Sequence, residues 1–315
     1  MCETLYLVIP CFNEEDVLPE SARRLDTKIK SLIERGLVSS RSKILFVNDG
    51  STDKTWDIIK QLHNENKIFL AISLAHNSGE QNAYLAGMMT AKEAADVVIT
   101  MDADLQDDID AIDKMVDEYY KGNDIVYGVR ASRKNESLFK RFSANTFYRI
   151  MKAMGTALIP NHSQYRLMSR RAMDALSGYG EVNLFLPALI PLLGFKNSIV
   201  YHERTQRVAG KSKYSVNRLF SLAVQAITSF SLKPIHFVST AGILFLLVGV
   251  GIISVGIVRA ITGNVDGWLW VLASVWAVGG VVLIAIGIIG EYVGKTYFET
   301  KQRPRYSVSE SLLDT

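Results

Sequence analysis

The sequence predicts an α/β domain with a mostly parallel β-sheet, followed by interfacial helices and a transmembrane hairpin of two helices. In the first 130 residues, short apolar or β-branched runs alternate with longer amphipathic stretches. Such alternation favours parallel strands joined by right-handed helical crossovers. From residue 235 onward the composition changes, because two long stretches carry almost no charge. These observations divide the chain into a globular part and a membrane-associated part.

Predicted strands and helices alternate along the globular part. Strands are expected at residues 5–10, 43–48, 68–74, 97–101 and 124–129. Helices are expected at residues 16–35, 55–65, 81–94 and 108–121. In a parallel sheet of this kind, ligands bind beyond the carboxyl ends of the strands. The residues that follow each strand are therefore the first place to look for functional side chains.

The C-terminal part contains two stretches with the length and composition of membrane spans. Residues 235–258 and 267–290 carry no acidic or basic side chain apart from His236. A helix needs about 20 apolar residues to cross the hydrocarbon core of a bilayer. Two buried core helices are the alternative, but globular proteins rarely need two helices that are apolar on all sides. The sequence therefore predicts a transmembrane hairpin.

Basic residues predict the orientation of this hairpin. Lysine and arginine lie before the first stretch and after the second, whereas the connector at 260–266 has none. By the positive-inside rule, the globular domain is cytoplasmic and the protein is a multi-pass protein of the plasma membrane. The predicted parts are a globular domain at 1–210, a juxtamembrane amphipathic helix at 211–233, the hairpin at 234–292 and a cytoplasmic tail at 293–315. Residues 138–154 are a second candidate for an interfacial helix, with packing against the sheet as the alternative.

Net charge and cysteine content exclude several classes of protein. The formal net charge of +3 is too small to indicate nucleic-acid binding. The two cysteines offer neither a disulfide framework nor a metal-ligand spacing, which suits a reducing compartment. Neither a glycine-rich dinucleotide motif nor a P-loop motif is present in the sequence.

Polar residues are concentrated after four of the predicted strands. The loops at residues 10–15, 48–53, 76–81 and 102–107 are rich in acidic and amide side chains. Turn formation and helix capping explain any one of these loops. Four such loops at one edge of a sheet are harder to explain in that way, so we expect a ligand site at this edge.

The loop at residues 102–107 has the clearest chemistry. Asp102 and Asp104, with Gln106 beside them, supply hard oxygen ligands of the kind that bind Mg²⁺ or Mn²⁺. A divalent cation here would neutralise a diphosphate leaving group. Capping of the helix predicted at 108–121 is the alternative, but capping does not need both acids. The sequence thus predicts a divalent metal as cofactor.

Six motifs, taken together and in this order, resemble those of one enzyme family. They are IPCFNEE at 9–15, VNDGSTD at 47–53, MDADLQD at 101–107, YGVR at 127–130, YRLMSRR at 165–171 and RVAGKSKY at 207–214. With the two C-terminal spans, they closely resemble the inverting GT-A glycosyltransferases of the dolichol-phosphate mannose synthase and bacterial undecaprenyl-phosphate glycosyltransferase type. The resemblance extends over nearly the whole chain and implies a GT-A catalytic domain.

The resemblance also implies roles for individual residues. Those expected to bind the substrates are Pro10, Glu14, Asp49, Arg130, Arg207 and Lys211. Those expected to bind the metal are Asp102, Asp104 and Gln106. Those expected to act in catalysis are Asp102, Asp104, Gln164 and Arg166. Arg130 and Arg166 suit phosphate because the planar guanidinium binds it in a bidentate manner, with surface ion pairs as the alternative.

Gln164 departs from the family pattern. Relatives of this type commonly have an aspartate here, which is a candidate base or orienting residue for the acceptor. Glutamine cannot take a proton. Three explanations stay open: an ionised lipid phosphate needs no base, another carboxylate substitutes, or activity is reduced. We assign Gln164 to positioning of the acceptor.

The expected reaction transfers a hexose from UDP-glucose or UDP-N-acetylglucosamine to polyprenyl (undecaprenyl) phosphate at the cytoplasmic face of the membrane. The loops do not distinguish these donors from UDP-galactose or GDP-mannose by any physical argument. A non-catalytic membrane scaffold that binds nucleotide sugars is one rival. A polysaccharide synthase is another, although it would need more spans and a Gln-x-x-Arg-Trp motif. Gly290 and Gly294 form a small-xxx-small pair that is common by chance, so a homo-oligomer is left open.

Overall fold

A computed structural model of the protein describes residues 2–104, 106–131, 159, 162–182, 184–203 and 267–313. The chain forms two compact units. The first comprises Met1–Tyr148, Ala157–Ser215 and Gln302–Thr315. The second comprises Arg149–Thr156 and Val216–Lys301.

One eight-stranded sheet forms the centre of the first unit. Its strands are β1 (Leu5–Cys11), β2 (Lys43–Asn48), β3 (Phe69–Leu74), β4 (Val97–Thr100), β5 (Ile125–Arg130), β6 (His162–Ser169), β7 (Asn197–His202) and β8 (Val308–Leu312). They lie in the order β7-β5-β6-β4-β1-β2-β3-β8. Pairing is parallel except where β6 meets β4 and β5 and where β8 meets β3. The predicted α/β fold with a mostly parallel sheet is therefore confirmed.

The described residues of the first unit form six helices, and those of the second unit form one long helix. The six are α1 (Leu18–Glu34), α2 (Thr55–Glu65), α3 (Glu80–Ala91), α4 (Ala111–Tyr120), α5 (Arg170–Ser177) and α6 (Leu186–Leu192). The long helix of the second unit is α7 (Trp268–Lys301). α1 begins with a proline in its first turn and buries Leu18, Leu25, Ile29 and Leu32, whose spacing places them on one face. All six residues of β3 are buried, as expected for a strand covered on both faces.

The direction of the strands brings the predicted loops to one edge. β1 to β5 and β7 all run the same way, so their carboxyl ends meet at one edge of the sheet. β6 runs in the opposite direction, so its first residues also lie at this edge. We call this edge, with the loops that follow β1 to β4, the end of β5 and the first five residues of β6, the carboxyl edge. It carries those predicted functional residues that the structure describes, whereas Arg207 and Lys211 lie outside the described residues.

Three strands were not predicted from the sequence. β6 and β7 follow the five expected strands, and β8 lies in the segment predicted as a tail. β8 pairs with β3, and the amide of Ala75 donates to the carbonyl oxygen of Ser307 at 2.9 Å. Most of β8 is exposed, so it is not buried in the core of the sheet. The sequence VSESL therefore lacks the apolar pattern by which strands are recognised.

The predicted membrane segments are described only in part. The first span at 235–258 and the helices at 138–154 and 211–233 lie outside the described residues. The second span at 267–290 falls in α7, which continues to Lys301. Among the helices that the structure describes, none combines the length and the hydropathy needed to cross a bilayer.

Gly87 fixes α3 against the sheet. A Cβ added at Gly87 would lie 2.3 Å from Val8 Cγ1 and 2.8 Å from Val47 Cγ2. We expect Gly87→Ala to lower the free energy of unfolding by about 1–3 kcal/mol, because the well-packed core must shift to admit a methyl group. Urea unfolding measures this change.

The matched control is Gly178→Ala at the end of α5. Gly178 has a φ of −73°, and an added Cβ would meet only the carbonyl oxygen of Ala175 at 3.4 Å. We expect this variant to be as stable as the wild type or slightly more stable, because glycine loses more backbone entropy on folding. Equal stability of the two variants would contradict the close approach at Gly87.

Candidate active site

The loops that follow β1 and β2 are joined by reciprocal hydrogen bonds. The amide of Asn13 donates to Ser51 Oγ at 3.0 Å, and the amide of Glu14 donates to Thr55 Oγ1 at 2.9 Å. In return the amide of Thr52 donates to Asn13 Oδ1 at 2.8 Å. Asn13 has a φ of 54°, a left-handed conformation that asparagine tolerates better than most residues. These bonds fix the backbone that carries Glu14.

Asp49 joins the loops that follow β2 and β3. Its Oδ1 accepts from the amide of Ser78 at 2.7 Å and its Oδ2 from the amide of Gly79 at 3.1 Å. Burial raises the pKa of Asp49, and the hydrogen bonds from the amides of Ser78 and Gly79 lower it. Gly50 lies beside the same loop with a φ of 65°, and an added Cβ would lie 2.5 Å from the amide nitrogen of Asn77. Both carboxylate oxygens of Asp49 thus hold the backbone of the third loop.

Pro10 and Cys11 end β1 beside these loops. Pro10 is aligned with Val47 of β2, so it lies at the carboxyl edge with Glu14 and Asp49. Burial raises the pKa of the Cys11 thiol, and the charge of Glu14 raises it further. Cys11 is therefore a protonated, buried thiol rather than a nucleophile.

Asp102 follows β4 and is bound by a residue of α3. The hydroxyl of Tyr84 donates to Asp102 Oδ1 at 2.6 Å. Burial, followed by the charges of Glu80 and Asp107, raises the pKa of Asp102 to about 7, whereas the bond from Tyr84 lowers it. Burial also raises the pKa of the Tyr84 hydroxyl well above its usual range, so this group is protonated and donates.

The backbone around Asp102 and Asp104 is also held in place. The hydroxyl of Ser21, on α1, donates to the carbonyl oxygen of Ala103 at 2.6 Å. Asp104 Oδ1 accepts from the amide of Gln106 at 3.2 Å, which tightens the turn. Gln106 itself is buried. Hydrogen bonds therefore hold the backbone at Ala103 and Gln106, on either side of Asp104.

The chemistry of this loop fits a divalent cation that is completed by substrate. The part of the chain that the structure describes has no group of three His, Cys, Asp or Glu residues that could hold a metal. Mg²⁺, however, is usually bound by one or two carboxylates together with substrate phosphates and water. Asp102 and Asp104 supply carboxylates, and Gln106 supplies an amide oxygen. This oxygen donor set fits Mg²⁺ or Mn²⁺.

Arg166 is a buried cation at the carboxyl edge. Only 1% of its surface is exposed, and its Nη2 donates to Gln164 Oε1. Its Nη1 is buried and has no hydrogen-bond partner among the described residues. Burial lowers the pKa of Arg166 to about 10, so the side chain is still charged at neutral pH. A buried guanidinium nitrogen without a partner is costly, and an anion would satisfy it.

Arg130 ends β5 beside a second buried carboxylate. Its Nε lies 3.9 Å from Asp107 Oδ1, and His202 Nδ1 lies 3.8 Å from the same oxygen. Arg130 is partly exposed, whereas Asp107 and His202 are buried. The Arg130 side chain therefore keeps some exposure to solvent beside Asp107. Arg207 and Lys211, which were also expected to bind substrate, lie outside the described residues.

Several residues of this edge were missed by the sequence analysis. They are Ser21, Glu80, Tyr84, Asp107 and His202. Asp107 belongs to a motif that was recognised, so its position was a usable signal. Tyr84 and Ser21 lie on the buried faces of α3 and α1, where a polar side chain carries no sign of its distant partner.

Comparison with known sequences identifies the family. The sequence profile described as "Glycosyl transferase family 2" matches residues 6–177, which is more than half of the 315-residue chain. This match includes the loops after β1 to β4 and both Gln164 and Arg166. The chain belongs to glycosyl transferase family 2. It is therefore a glycosyltransferase.

Two relatives of this glycosyltransferase align with almost the whole chain. An uncharacterised glycosyltransferase of Bacillus subtilis (strain 168), YkoT, is 45% identical over 309 residues, covering 98% of this chain and 92% of the relative. A bactoprenol glucosyl transferase of Shigella phage SfX is 35% identical over 311 residues, covering 96% and 97% respectively. The predicted resemblance to glycosyltransferases of the undecaprenyl-phosphate type is thus confirmed.

A distant likeness exists among solved structures. A mannosyltransferase of Pyrobaculum calidifontis, solved in complex with GDP-mannose and Mn²⁺, has a TM-score of 0.44 and 13% sequence identity. The likeness covers 94% of this chain and 85% of that protein.

Proposed function

We propose that this glycosyltransferase transfers a hexose from a nucleotide sugar to polyprenyl phosphate at the cytoplasmic face of the membrane. The observation that carries the proposal is the buried Arg166, whose Nη1 has no partner in the described part of the chain. This cation lies at the same edge as the acidic loop of Asp102 and Asp104. A reaction between two phosphate-bearing substrates needs both features. The similarity to a bactoprenol glucosyl transferase supports a polyprenyl acceptor and a glucosyl donor.

The proposed step is a single displacement at the anomeric carbon. An oxygen of the acceptor phosphate forms the new bond to this carbon. The bond to the nucleoside diphosphate breaks, its electron pair leaves with the diphosphate, and the configuration inverts. Arg166 and Arg130 bind phosphate oxygens and hold the reactants in line. A divalent cation held by Asp102, Asp104 and Gln106 would supply positive charge for the leaving diphosphate.

The nucleoside end of the donor is assigned to the joined loops. Glu14 and Pro10 lie where the loops after β1 and β2 meet, and Asp49 fixes the loop after β3. Backbone amides and carboxylates arranged in this way suit the polar edge of a base and a ribose. UDP-glucose and UDP-N-acetylglucosamine are the donors that we propose.

Gln164 has a positioning role in this scheme. Its side-chain Oε1 accepts from Arg166 Nη2, and its backbone carbonyl oxygen accepts from Thr100 Oγ1 at 2.5 Å. A phosphate monoester is already ionised at neutral pH, so its attack requires no base. A neutral glutamine orients Arg166 without cancelling the positive charge that the phosphate needs.

The membrane location rests on the sequence and on the relatives. The uncharged stretches at 235–258 and 267–290 are the basis for an anchor in the bilayer, where a polyprenyl phosphate resides. Basic residues on both sides of these stretches support a cytoplasmic catalytic domain.

Transfer of labelled sugar into lipid tests the proposed function. Purified protein, undecaprenyl phosphate and Mn²⁺ are incubated in parallel with labelled UDP-glucose, UDP-N-acetylglucosamine, UDP-galactose and GDP-mannose. We expect label to enter the organic phase from one UDP-sugar, and we expect EDTA to abolish this transfer.

The same assay separates the alternatives. Label in a water-soluble polymer would support a polysaccharide synthase. Binding of nucleotide without transfer from any donor would support a non-catalytic scaffold and would overturn the proposal.

A further inference from the structure

Tyr84 is a buried residue that the proposed reaction does not use. It lies on α3 and is 1% exposed, and its hydroxyl oxygen lies 2.6 Å from Asp102 Oδ1. A buried tyrosine hydroxyl usually finds a hydrogen-bond partner. Here the partner is a carboxylate of the proposed metal loop, and a phenol that donates to a carboxylate at this distance forms a charge-assisted bond.

We propose that Tyr84 is a positioning residue for the divalent metal, because its hydroxyl holds the Asp102 carboxylate in one orientation. This inference rests on the proposed function. A carboxylate offers about four lone-pair sites on its two oxygens, so one bond at Oδ1 leaves capacity for a metal or a metal-bound water. Carboxylates that bind metals are commonly held by hydrogen bonds of this kind.

The helix that carries Tyr84 is rigidly placed. Gly87, three residues further along α3, allows the helix to touch Val8 and Val47 of the sheet without space for a methyl group. The neighbouring Ala83 and Ala86 are fully buried. The hydroxyl of Tyr84 is therefore set by the core of the domain and cannot follow a displaced Asp102. A support on a packed helix positions a functional group better than one on a loop.

Carboxylates near Asp102 repel it, although the Arg166 guanidinium also acts on it, so a fixed donor helps to set its orientation. Glu80 lies four residues before Tyr84 on the same face of α3, and its charge acts on Asp102, as does that of Asp107. Ser21 fixes the backbone at Ala103 but not the Asp102 side chain. In the described part of the chain, the hydrogen bond from the Tyr84 hydroxyl holds the Asp102 side chain.

Mn²⁺ affinity tests this inference directly. Tyr84→Phe keeps the ring that fills the core and removes only the hydroxyl. Mn²⁺ binding to the full-length protein is measured in the presence of UDP, by the electron paramagnetic resonance signal of free Mn²⁺. We expect Tyr84→Phe to weaken Mn²⁺ binding by about 10- to 100-fold, the usual effect of removing a partner of a metal ligand. The Mn²⁺ concentration for half-maximal transfer should rise by the same factor, with Tm close to that of the wild type.

Tyr165→Phe is the matched control. Tyr165 is a fully buried tyrosine of β6, but its hydroxyl donates to the backbone oxygen of Asp108 at 3.1 Å. We expect this variant to bind Mn²⁺ as the wild type does. Equal Mn²⁺ affinity of Tyr84→Phe and the wild type would overturn the inference alone. Equal weakening in both variants would overturn it in favour of a general structural effect. A wild-type protein that binds no Mn²⁺ would overturn both this inference and the metal assignment.

Discussion

Asp104→Ala is expected to lower the rate of sugar transfer by about 10³-fold or more while the domain stays folded. A cation that stabilises a leaving group contributes several kcal/mol to catalysis, and each step of about 1.4 kcal/mol is tenfold in rate. The hydrogen bond from the backbone amide of Gln106 to Asp104 Oδ1 is local, so we expect its loss to disturb the fold little. Initial rates at saturating donor and acceptor, with Tm as the measure of folding, check this prediction.

Asp110→Ala is the matched control for the loss of a carboxylate. Asp110 lies six residues further along the chain, and its side chain is 83% exposed and paired with Lys28. We expect this variant to retain wild-type activity and to lose little stability, because exposed ion pairs contribute at most about 1 kcal/mol. Activity near the wild-type level in purified Asp104→Ala would exclude Asp104 as a metal ligand.

Arg166→Lys is expected to lower kcat/KM for the polyprenyl phosphate by about 10²-fold or more. The substitution keeps the positive charge but removes the planar fork, whose Nη2 binds Gln164 and whose Nη1 has no partner among the described residues. Loss of one donor to a developing negative charge has an effect of this size. A lysine ammonium cannot replace a bidentate guanidinium at a constrained site. Steady-state kinetics with varied acceptor measure the effect.

Arg170→Lys serves as the control for Arg166→Lys. Arg170 is a partly exposed residue that binds the carbonyl oxygen of Ala95 and faces Asp96, away from the proposed site. We expect unchanged kcat/KM in this variant. If Arg166→Lys also keeps wild-type kinetics and Mn²⁺ dependence, the phosphate role of Arg166 is wrong, and its charge serves the fold instead.

The residues that could be predicted from the sequence are those whose role is indicated by their neighbours in the sequence. The order of strands and acidic loops in the first 130 residues predicted the parallel sheet and its carboxyl edge, because each loop directly follows its strand. Asp102, Asp104 and Gln106 lie within five consecutive positions, so their grouping did not depend on the fold. The structure accordingly finds them in one loop.

Other parts of the site depend on contacts between distant segments. Arg166 was expected to bind phosphate, but its burial could not be predicted. It follows from the antiparallel pairing of β6 with β4, which no local sequence pattern indicates. Tyr84 reads as an ordinary core residue of α3, and its role arises only because α3 packs beside β4. Asp49 was expected to face the nucleoside, whereas in the structure both its oxygens accept backbone hydrogen bonds.

The pairing of β8 with β3 means that the sheet can be completed only late in synthesis of the chain. Ser309 donates to the carbonyl oxygen of Ser73, and 236 residues separate the two. At synthesis rates of about 5–20 residues per second, β3 leaves the ribosome on the order of 10–50 s before its neighbour exists. Throughout that interval β3, which is apolar except for Ser73, forms an open sheet edge, and such an edge is a template for pairing with other chains. Nascent chains that stop short of β8 are therefore the ones most in need of a chaperone.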